Sequence, residues 1–302
     1  RRLLRVTTPH TTKYKDLQKD NTNMERRILL TECPDSKGLI AKITGACYKF
    51  QYNIIKNDQF VSYEDARFFM RTDLEGEFGN NNAFEQEVQK LLPEGGECRL
   101  VPVRRKRILI LVTRESHVLG DLLMKSYSGA LPIDIVGVIG NYDILEDLTR
   151  RFDLPYITVS HEGLTREEHE TKMLEAMSKF EYDYVVLAKY MRVLTPNFVN
   201  AFPKGTLINI HHSFLPAFIG AKPYQQAFDR GVKIIGATAH YVTNDLDEGP
   251  IIAQDVIKVS HNYSAEAMAK AGRDVERQVL NRALSRVIDD KVFIHGNKTI
   301  VF

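Results

Sequence analysis

The chain has 302 residues, a length that accommodates two domains or one large one. Hydrophobic residues make up 43% of the sequence and charged residues 26%, which is ordinary for a globular protein. The net charge of +2 is too small to indicate nucleic acid or an acidic membrane as a partner, and no apolar run is long enough to span a bilayer. Cys33, Cys47 and Cys98 are far apart in sequence, so we expect reduced, buried thiols in a cytoplasmic protein and no zinc site.

Residues 1–23 differ in composition from the rest of the chain. Their first part, RRLLRVTTPHTTKYK, is basic, rich in threonine and free of acidic residues, as in a transit peptide. An added leader or a disordered arm explains the composition equally well, and Met24 would then be a natural start. We assign residues 1–24 to a leader or disordered arm, 25–103 to a first domain and 104–302 to a second.

Residues 26–101 show strand and helix patterns in the order β-α-β-β-α-β. A strand-like run, RRILLTEC, leads through turn residues into a helix whose apolar face carries Leu39, Ile43, Ala46 and Phe50. Two strand-like runs follow, and then an amphipathic helix, AFEQEVQKLL, and a last strand, ECRLVPV. This order predicts a ferredoxin-like α+β domain.

A basic run, Arg104-Arg105-Lys106-Arg107, separates this domain from the rest of the chain. Such runs sometimes bind nucleic acid. Because the chain is nearly neutral, we interpret this run as a solvated linker.

Short apolar runs alternate with helix-like segments from Ile108 onward. The strand-like runs are RILILV, IDIVGVIG, PYITVS, DYVVLA and TLINI, and the segments between them are VLGDLLMKSYS, DILEDLTRRF, REEHETKMLEAMSKF and TPNFVNAF. This alternation predicts a doubly wound, mostly parallel α/β sheet whose ligand site lies at the carboxyl ends of the strands. Two longer strands, IIGATAHYV and PIIAQDVIKV, are expected to be antiparallel at least in part, and residues 263–289 form a long terminal helix.

The first turn from strand to helix in this second domain, VTRESHVLGDLL, lacks a glycine-rich phosphate loop. Its one glycine, Gly120, lies inside the helix, and Glu115 would repel a phosphate. We therefore expect no dinucleotide cofactor.

The stretch from Gly205 to Pro250 carries the strongest chemical signal. Asn209 and His211 alternate with apolar residues, so both project from one face at the carboxyl end of a strand, where an amide and an imidazole can stabilise a developing oxyanion. His212 points the other way, and we count it as structural. In NDLDEGP, either Asp245 or Asp247 could supply a general base, and spacing alone does not choose between them.

Three motifs, AKYMRVLTP, NIHHSFLP and NDLDEGP, together resemble the formyltransferase family that uses 10-formyltetrahydrofolate. Over residues 26–302 the chain is similar to the hydrolytic branch of that family, the formyltetrahydrofolate deformylases. CPDSKGL at 33–39 and Asn53-Ile54 resemble an ACT domain, a module that senses small molecules. The resemblance implies an ACT domain followed by a Rossmann-like formyltransferase domain, and hydrolysis of 10-formyltetrahydrofolate to tetrahydrofolate and formate, feeding one-carbon metabolism and purine synthesis without metal or other cofactor.

The resemblance also implies roles for particular residues. Asn209, His211 and Asp247 map onto the catalytic trio, and this match alone selects Asp247 over Asp245. The folate-binding residues it implies are Met191, Arg192, Val193, Leu194, Asn244, Asp245, Leu246 and Glu248. We place His240 and Lys222 as support for the site. Spacing does not decide how His211 and His240 divide the chemistry, and Lys222 and Tyr224 fit a structural loop equally well.

For the first domain, the resemblance implies a candidate amino-acid effector site at Asp35, Gly38, Leu39, Asn53 and Ile54. The plainer interpretation is a turn and helix cap in which Gly38 serves only geometry. ACT domains commonly pair, so we expect a homo-oligomer.

Two other functions remain open at this point. Glycinamide-ribotide transformylase, a related enzyme, has a phosphate loop where this chain has TRESHVLGD, so the acceptor here is expected to be water. A formyltransferase acting on an amine or a tRNA is the first alternative. A non-enzymatic protein that senses folate and an amino acid is the second.

Overall fold

The structure is a computed structural model that describes residues 24–79, 82–218 and 222–302. The predicted leader, apart from Met24, lies outside the described residues. The chain forms two compact units, one ending at Val103 and the other beginning at Arg104.

The first unit is an antiparallel sheet with two helices. Its elements are β1 (Glu25–Pro34), α1 (Leu39–Lys49), β2 (Asn53–Ser62), β3 (Arg67–Gly76), α2 (Ala83–Leu91) and β4 (Glu97–Pro102). The strand order is β2-β3-β1-β4, which confirms the predicted ferredoxin-like arrangement. Leu29 and Met70 of the sheet pack in one core with Ile43 of α1 and Val88 of α2.

The second unit is built on a seven-stranded sheet of order β11-β10-β9-β8-β5-β6-β7. Its strands are β5 (Lys106–Val112), β6 (Ile133–Gly140), β7 (Tyr156–Thr158), β8 (Tyr184–Leu187), β9 (Leu207–His211), β10 (Ile234–Tyr241), β11 (Ile251–Lys258), β12 (Val292–His295) and β13 (Lys298–Val301), the last two forming a separate hairpin. Its helices are α3 (His117–Ser128), α4 (Glu146–Arg150), α5 (Arg166–Met177), α6 (Pro196–Val199), α7 (Pro223–Asp229) and α8 (Ala265–Ile288). Strands β5 to β9 are parallel, and β10 and β11 are antiparallel to their neighbours, as predicted.

Both faces of the sheet are covered, and β5 shows why its sequence is apolar throughout. Successive side chains of a strand point to opposite faces. Ile108 and Ile110 accordingly join the core that contains α3 and α8, whereas Leu109 and Leu111 join the core that contains α5 and α6. A central strand buried on both sides has no polar alternation to show, which confirms a doubly wound architecture.

The helices differ from the sequence predictions at three places. Two of the predicted segments are shorter, because α4 covers only Glu146–Arg150 and α6 only Pro196–Val199. Helix α7 was not predicted, since its seven residues follow a stretch of glycine and proline that is typical of a loop. Its first residue is Pro223, and proline is favoured at this position because the first helical N–H has no intrahelical partner.

The interpretation of the basic run as a solvated linker fits the exposed Arg104 and Arg105 but was wrong for Lys106. Lys106 is buried at the start of β5, with its Nζ 2.8 Å from Oδ2 of Asp290. The other three residues form ion pairs as well, Arg104 with Asp183, Arg105 with Asp134 and Arg107 with Glu181. A buried charge requires a partner, which Asp290 supplies to Lys106. Lys106 and Arg107 begin β5, whereas Arg104 and Arg105 precede the strand. In the part of the chain that the structure describes, no helix is long and apolar enough to cross a membrane.

Candidate functional site

A cavity of about 270 Å³ opens at the carboxyl ends of β8 and β9. These two strands are parallel neighbours, with Leu187 paired to Asn209, so the segments that follow them meet at one edge of the sheet. The cavity is lined by Leu187, Lys189, Tyr190, Met191, Arg192, Val193, Leu194, Asn209, Ile210, His211, His212, His240, Val242, Thr243, Asn244, Asp245, Leu246 and Asp247. The structure thus brings together the residues predicted as catalytic and, apart from Glu248, those predicted to hold the substrate.

Asn209, His211 and Asp247 converge in this cavity. The Nδ1 atom of His211 lies 3.2 Å from Oδ1 of Asp247, and the same oxygen lies 3.9 Å from Nε2 of His240. Nδ2 of Asn209 lies 3.1 Å from Nε2 of His240. An amide, two imidazoles and a carboxylate therefore form one connected group.

His240 fixes the orientation of the Asn209 amide. Its Nδ1 lies 2.9 Å from the Tyr241 carbonyl, which can only accept, so Nδ1 carries the proton. Burial lowers the pKa of His240, so the ring is neutral and Nε2 is an acceptor. Asn209 therefore donates one N–H to His240 and keeps a second N–H for a ligand in the cavity.

The carboxylate of Asp247 is held ionised. Burial alone would raise its pKa, but the hydrogen bond from His211 and the neighbouring imidazoles outweigh burial, and the net pKa lies below its usual value. Asp247 adopts a left-handed backbone conformation, with φ 58°. Asp245, in contrast, is exposed, and Asp247 is the aspartate of this loop that contacts His211.

His211 has one ring nitrogen left for chemistry. Nδ1 donates to Asp247, whereas Nε2 is buried and has no hydrogen-bond partner among the described residues. A buried nitrogen without a partner is costly, and a ligand in the cavity that His211 lines would supply one.

His212, which we counted as structural, also lines this cavity. The strand ends at His211, so the alternation of faces stops there and the imidazole of His212 lines the same cavity. Burial, together with the nearby Lys189 ammonium, lowers its pKa to about 4, which leaves it neutral near pH 7.

Several predicted residues lie elsewhere. Lys222 is the exposed residue that precedes α7 and does not line the cavity. Glu248 is exposed and does not line it either. Tyr224 lies on α7 and not in a loop, and its hydroxyl donates to Oε1 of Glu276 at 2.7 Å.

Sequence reasoning missed Lys189, which is 3% exposed and lines the cavity directly after β8. Its Nζ lies 3.4 Å from Oε2 of Glu276 on α8, and the same oxygen accepts from Nε2 of His117 at 2.8 Å. A lysine in the apolar run VVLAKY was the available signal, because buried lysines need anionic partners.

The residues of the candidate effector site lie around the turn between β1 and α1 and at the start of β2. Gly38 precedes α1 with φ 86°, a conformation that side chains rarely adopt. Asp35 is exposed in the turn, and its N–H bonds to Ala66 O at 2.7 Å. Leu39 is buried in the core, whereas Asn53 and Ile54 begin β2. The geometry accounts for Gly38 as a helix cap.

The described residues contain no group of three or more His, Cys, Asp or Glu side chains that could hold a metal ion. Asn209, His211 and Asp247 act as a hydrogen-bonding group in the arrangement described above. Such a group can polarise a carbonyl and move a proton.

Comparison with known proteins agrees with this geometry. The profile of the formyl transferase family matches residues 106–284, and that of the ACT domain matches residues 27–89. The chain is therefore a formyltransferase-fold protein with an ACT domain in front.

More specific similarities cover nearly the whole chain. It is 59% identical to formyltetrahydrofolate deformylase from Escherichia coli K12, over 92% of this chain and 99% of that protein. The deformylase from Haemophilus influenzae is likewise 59% identical, over 92% and 99%. The crystal structure of a formyltetrahydrofolate deformylase from Pseudomonas syringae superposes with a TM-score of 0.87 at 37% identity, covering 95% of this chain and 96% of that one. The chain belongs to the formyltetrahydrofolate deformylase family.

Proposed function

We propose that this enzyme hydrolyses 10-formyltetrahydrofolate to tetrahydrofolate and formate, and so feeds one-carbon metabolism and purine synthesis. The observation that carries the proposal is the convergence of Asn209, His211 and Asp247 in one cavity. The name of the relatives, which are 59% identical, supplies the substrate.

In the proposed mechanism, water attacks the formyl carbon on N10 of the folate. Asp247 takes a proton from the water, because its lowered pKa keeps the carboxylate ionised. Its Oδ1 lies 3.2 Å from Nδ1 of His211, and this contact orients the carboxylate. The free N–H of Asn209 donates to the formyl oxygen as negative charge develops there. His211 stabilises this charge in its imidazolium form, which donates from Nδ1 to Asp247 and from Nε2 to the oxyanion. The C–N bond then breaks as the proton that Asp247 took from the water passes to N10, and formate and tetrahydrofolate leave.

The segments on either side of the cavity support a role in binding folate. Met191, Val193 and Leu246 are at least 46% exposed apolar side chains that line it, and they offer contact area to a flat ring system. We assign the folate to the wall formed by Met191 to Leu194 and by Asn244 to Asp247, with no metal and no other cofactor.

The sharpest test is the substitution Asp247→Asn, assayed by formate release from 10-formyltetrahydrofolate without added acceptor. We expect turnover to be largely abolished while circular dichroism and the melting temperature stay close to wild type. Asp153→Asn is the matched control, because Asp153 is an exposed aspartate with the same φ of 58°. Near-wild-type turnover of purified Asp247→Asn would end the assignment.

We further propose that the first unit binds an amino-acid effector near Asp35, Gly38 and Leu39 and the start of β2 at Asn53 and Ile54. The match of residues 27–89 to the ACT domain supports this role. Calorimetric titration with separate amino acids tests it, and Asp35→Ala should weaken any binding that is observed. An absence of binding by all twenty would count against it.

A homo-oligomer is also proposed. Strand β2 is an edge strand of ten residues, and Ile55 and Phe60 on it are each 44% exposed. Long edge strands with exposed apolar residues favour pairing with another chain. A monomer in analytical ultracentrifugation at micromolar concentration would contradict this proposal. The unpaired Cys33, Cys47 and Cys98 support a reducing, cytoplasmic location, which cell fractionation can test.

A further inference from the structure

His212 is an imidazole in the reaction cavity that the mechanism above leaves unused. It lines the cavity, and its ring takes no part in the contacts that join Asn209, His211, Asp247 and His240. Its ring centroid lies 5.2 Å from that of His211, a separation that one bridging water can span. A neutral imidazole offers one donor and one acceptor, so His212 is suited to hold a water beside the catalytic trio.

A buried charge cluster stands next to His212. The Glu276 carboxylate of α8 is fully buried. It accepts hydrogen bonds from Nε2 of His117 and from the hydroxyl of Tyr224, and it forms an ion pair with the ammonium of Lys189. Three segments besides α8 thus meet at one carboxylate, namely the start of α3, the turn after β8 and helix α7. A cluster satisfied in this way is rigid, and it fixes the position of Lys189.

We propose that His212 holds the attacking water by accepting a hydrogen bond from it, and that Lys189, anchored on Glu276, is a positioning residue for His212. The proposal rests on the hydrolysis proposed above. Proton balance is unchanged, because one O–H of the water gives its proton to Asp247 while the other only donates a hydrogen bond to His212.

The charges that surround His212 keep it in the accepting form. Burial and the Lys189 ammonium lower its pKa, and His211 acts in the same direction. Glu276 and Asp247 act to raise the pKa of His212. Tyr224 packs against the His212 ring, with ring centroids 6.0 Å apart. The net pKa of about 4 leaves the acceptor nitrogen free at pH 7. Since a protonated imidazole cannot accept, loss of the lysine charge should extend the protonated form to higher pH.

The first experiment compares steady-state formate release from 10-formyltetrahydrofolate by the whole chain and two variants. For His212→Phe we expect kcat to fall by about 100-fold with KM changed less than about threefold, because an interaction with the water and not with folate is lost. His212→Gln, which retains an acceptor oxygen, should recover part of this loss. His261→Phe removes an exposed histidine and is the matched control.

The second experiment measures the pH dependence of kcat for wild type, Lys189→Met and Lys189→Arg. We expect the acid limb to move to higher pH in Lys189→Met and to return toward wild type in Lys189→Arg, a pattern that a purely structural lysine would not produce. NMR of ¹⁵N-histidine-labelled protein should show the same change directly, as earlier protonation of His212 in Lys189→Met.

The outcomes separate the two proposals. If the wild-type chain releases no formate, the proposed hydrolysis fails. If wild type is active and His212→Phe keeps kcat within about twofold of it, the role of His212 is overturned. If His212→Phe is inactive but the acid limb and the ¹⁵N titration are unchanged in Lys189→Met, the positioning role of Lys189 is overturned.

Discussion

Three histidines in one cavity have different tasks because each has different neighbours. His240 donates through Nδ1 to the Tyr241 carbonyl, so its Nε2 becomes an acceptor for Asn209. His211 is hydrogen-bonded to Asp247, and its Nε2 has no partner among the described residues. His212 takes part in neither of these contacts, and the Lys189 ammonium acts on it. The hydrogen-bond partner of each ring nitrogen, and not the residue type, sets what each histidine can do.

Removal of the Asn209 amide tests the oxyanion interaction at the residue scale. We expect Asn209→Ala to lower kcat by about 10²–10³, the usual cost of one oxyanion donor. The substitution removes both the N–H that is bonded to His240 and the second N–H, which is free for a ligand in the cavity. Formate release and circular dichroism are the measurements, with the exposed Asn262→Ala as control. A loss confined to KM would contradict this role.

The pH dependence of turnover follows from two lowered pKa values. The proposed mechanism uses Asp247 as a carboxylate and His212 as a neutral ring. The pKa values of both lie below their usual ones, that of His212 at about 4. Both active forms are therefore present above their folded pKa values and are lost as pH falls through them. We expect kcat to be flat from pH 7 to pH 5, and an acid limb with its midpoint above pH 5.5 would contradict the account.

At this scale the sequence predicts some of the site but not all of it. Asn209 and His211 follow from the two-residue period of a strand, and both line the cavity. The role of His212 could not be read in this way, because a pattern does not reveal the residue at which the strand ends. Nor does local sequence pair Lys189 with Glu276, since the contact depends on how α8 packs.

At the element scale, α7 and α8 are joined by a close approach at Gly272. A Cβ atom at this position would lie 2.0 Å from the Tyr224 hydroxyl, which therefore rests against bare backbone. Helix α7 was missed in the sequence, yet it delivers that hydroxyl to Glu276. Short helices of this kind are stabilised mainly by their tertiary contacts, so local propensity does not reveal them.

Substitution of two helical glycines by alanine separates packing from propensity. Gly272→Ala should lower the free energy of unfolding by about 1–3 kcal/mol, because the methyl group displaces Tyr224. Gly120→Ala in α3 should raise it by about 0.4–1 kcal/mol, since nothing lies within 4 Å of its Cβ position. Urea denaturation measures both. Equal effects of the two substitutions would show that the contact with Tyr224 is unimportant.

The Glu276 carboxylate predicts a pH-dependent stability. Burial alone would raise its pKa, but hydrogen bonds from His117 and Tyr224 and the Lys189 charge lower it from 4.5 to about 2. A lowered carboxyl pKa stabilises the fold above the unfolded value, and this contribution, on the order of 3 kcal/mol, is lost as pH falls from about 4.5 towards 2.

The substitution Glu276→Gln tests this contribution. It should destabilise the protein by about 3–5 kcal/mol at pH 7, because it leaves the lysine charge buried. The difference from wild type should shrink below pH 4.5 in denaturant titrations at several pH values. Glu175→Gln, at an exposed position on α5, is the control and should change little. A difference that is constant with pH would mean that Glu276 is not ionised in the fold.

On the scale of the whole molecule, the order of strands and helices was predictable and the electrostatics were not. Alternating apolar runs and amphipathic segments predicted both units. Burial on one face leaves a period in the sequence, and burial on both faces leaves a continuous apolar run. The burial of Lys106 and the ion pairs of the basic run were not predicted, because the acidic partners Asp134, Asp183 and Asp290 are distant in sequence and come together only in the folded chain. Net charge describes the surface field but not which charges are paired.

The central claim is that water is the acceptor of the formyl group. The most direct measurement is the reaction of wild-type chain with 10-formyltetrahydrofolate in H₂¹⁸O, without any amine, followed by mass spectrometry of the formate. We expect formate that carries one ¹⁸O atom, in an amount equal to the tetrahydrofolate produced. Formate without label, or no formate until an amine acceptor is added, would contradict it.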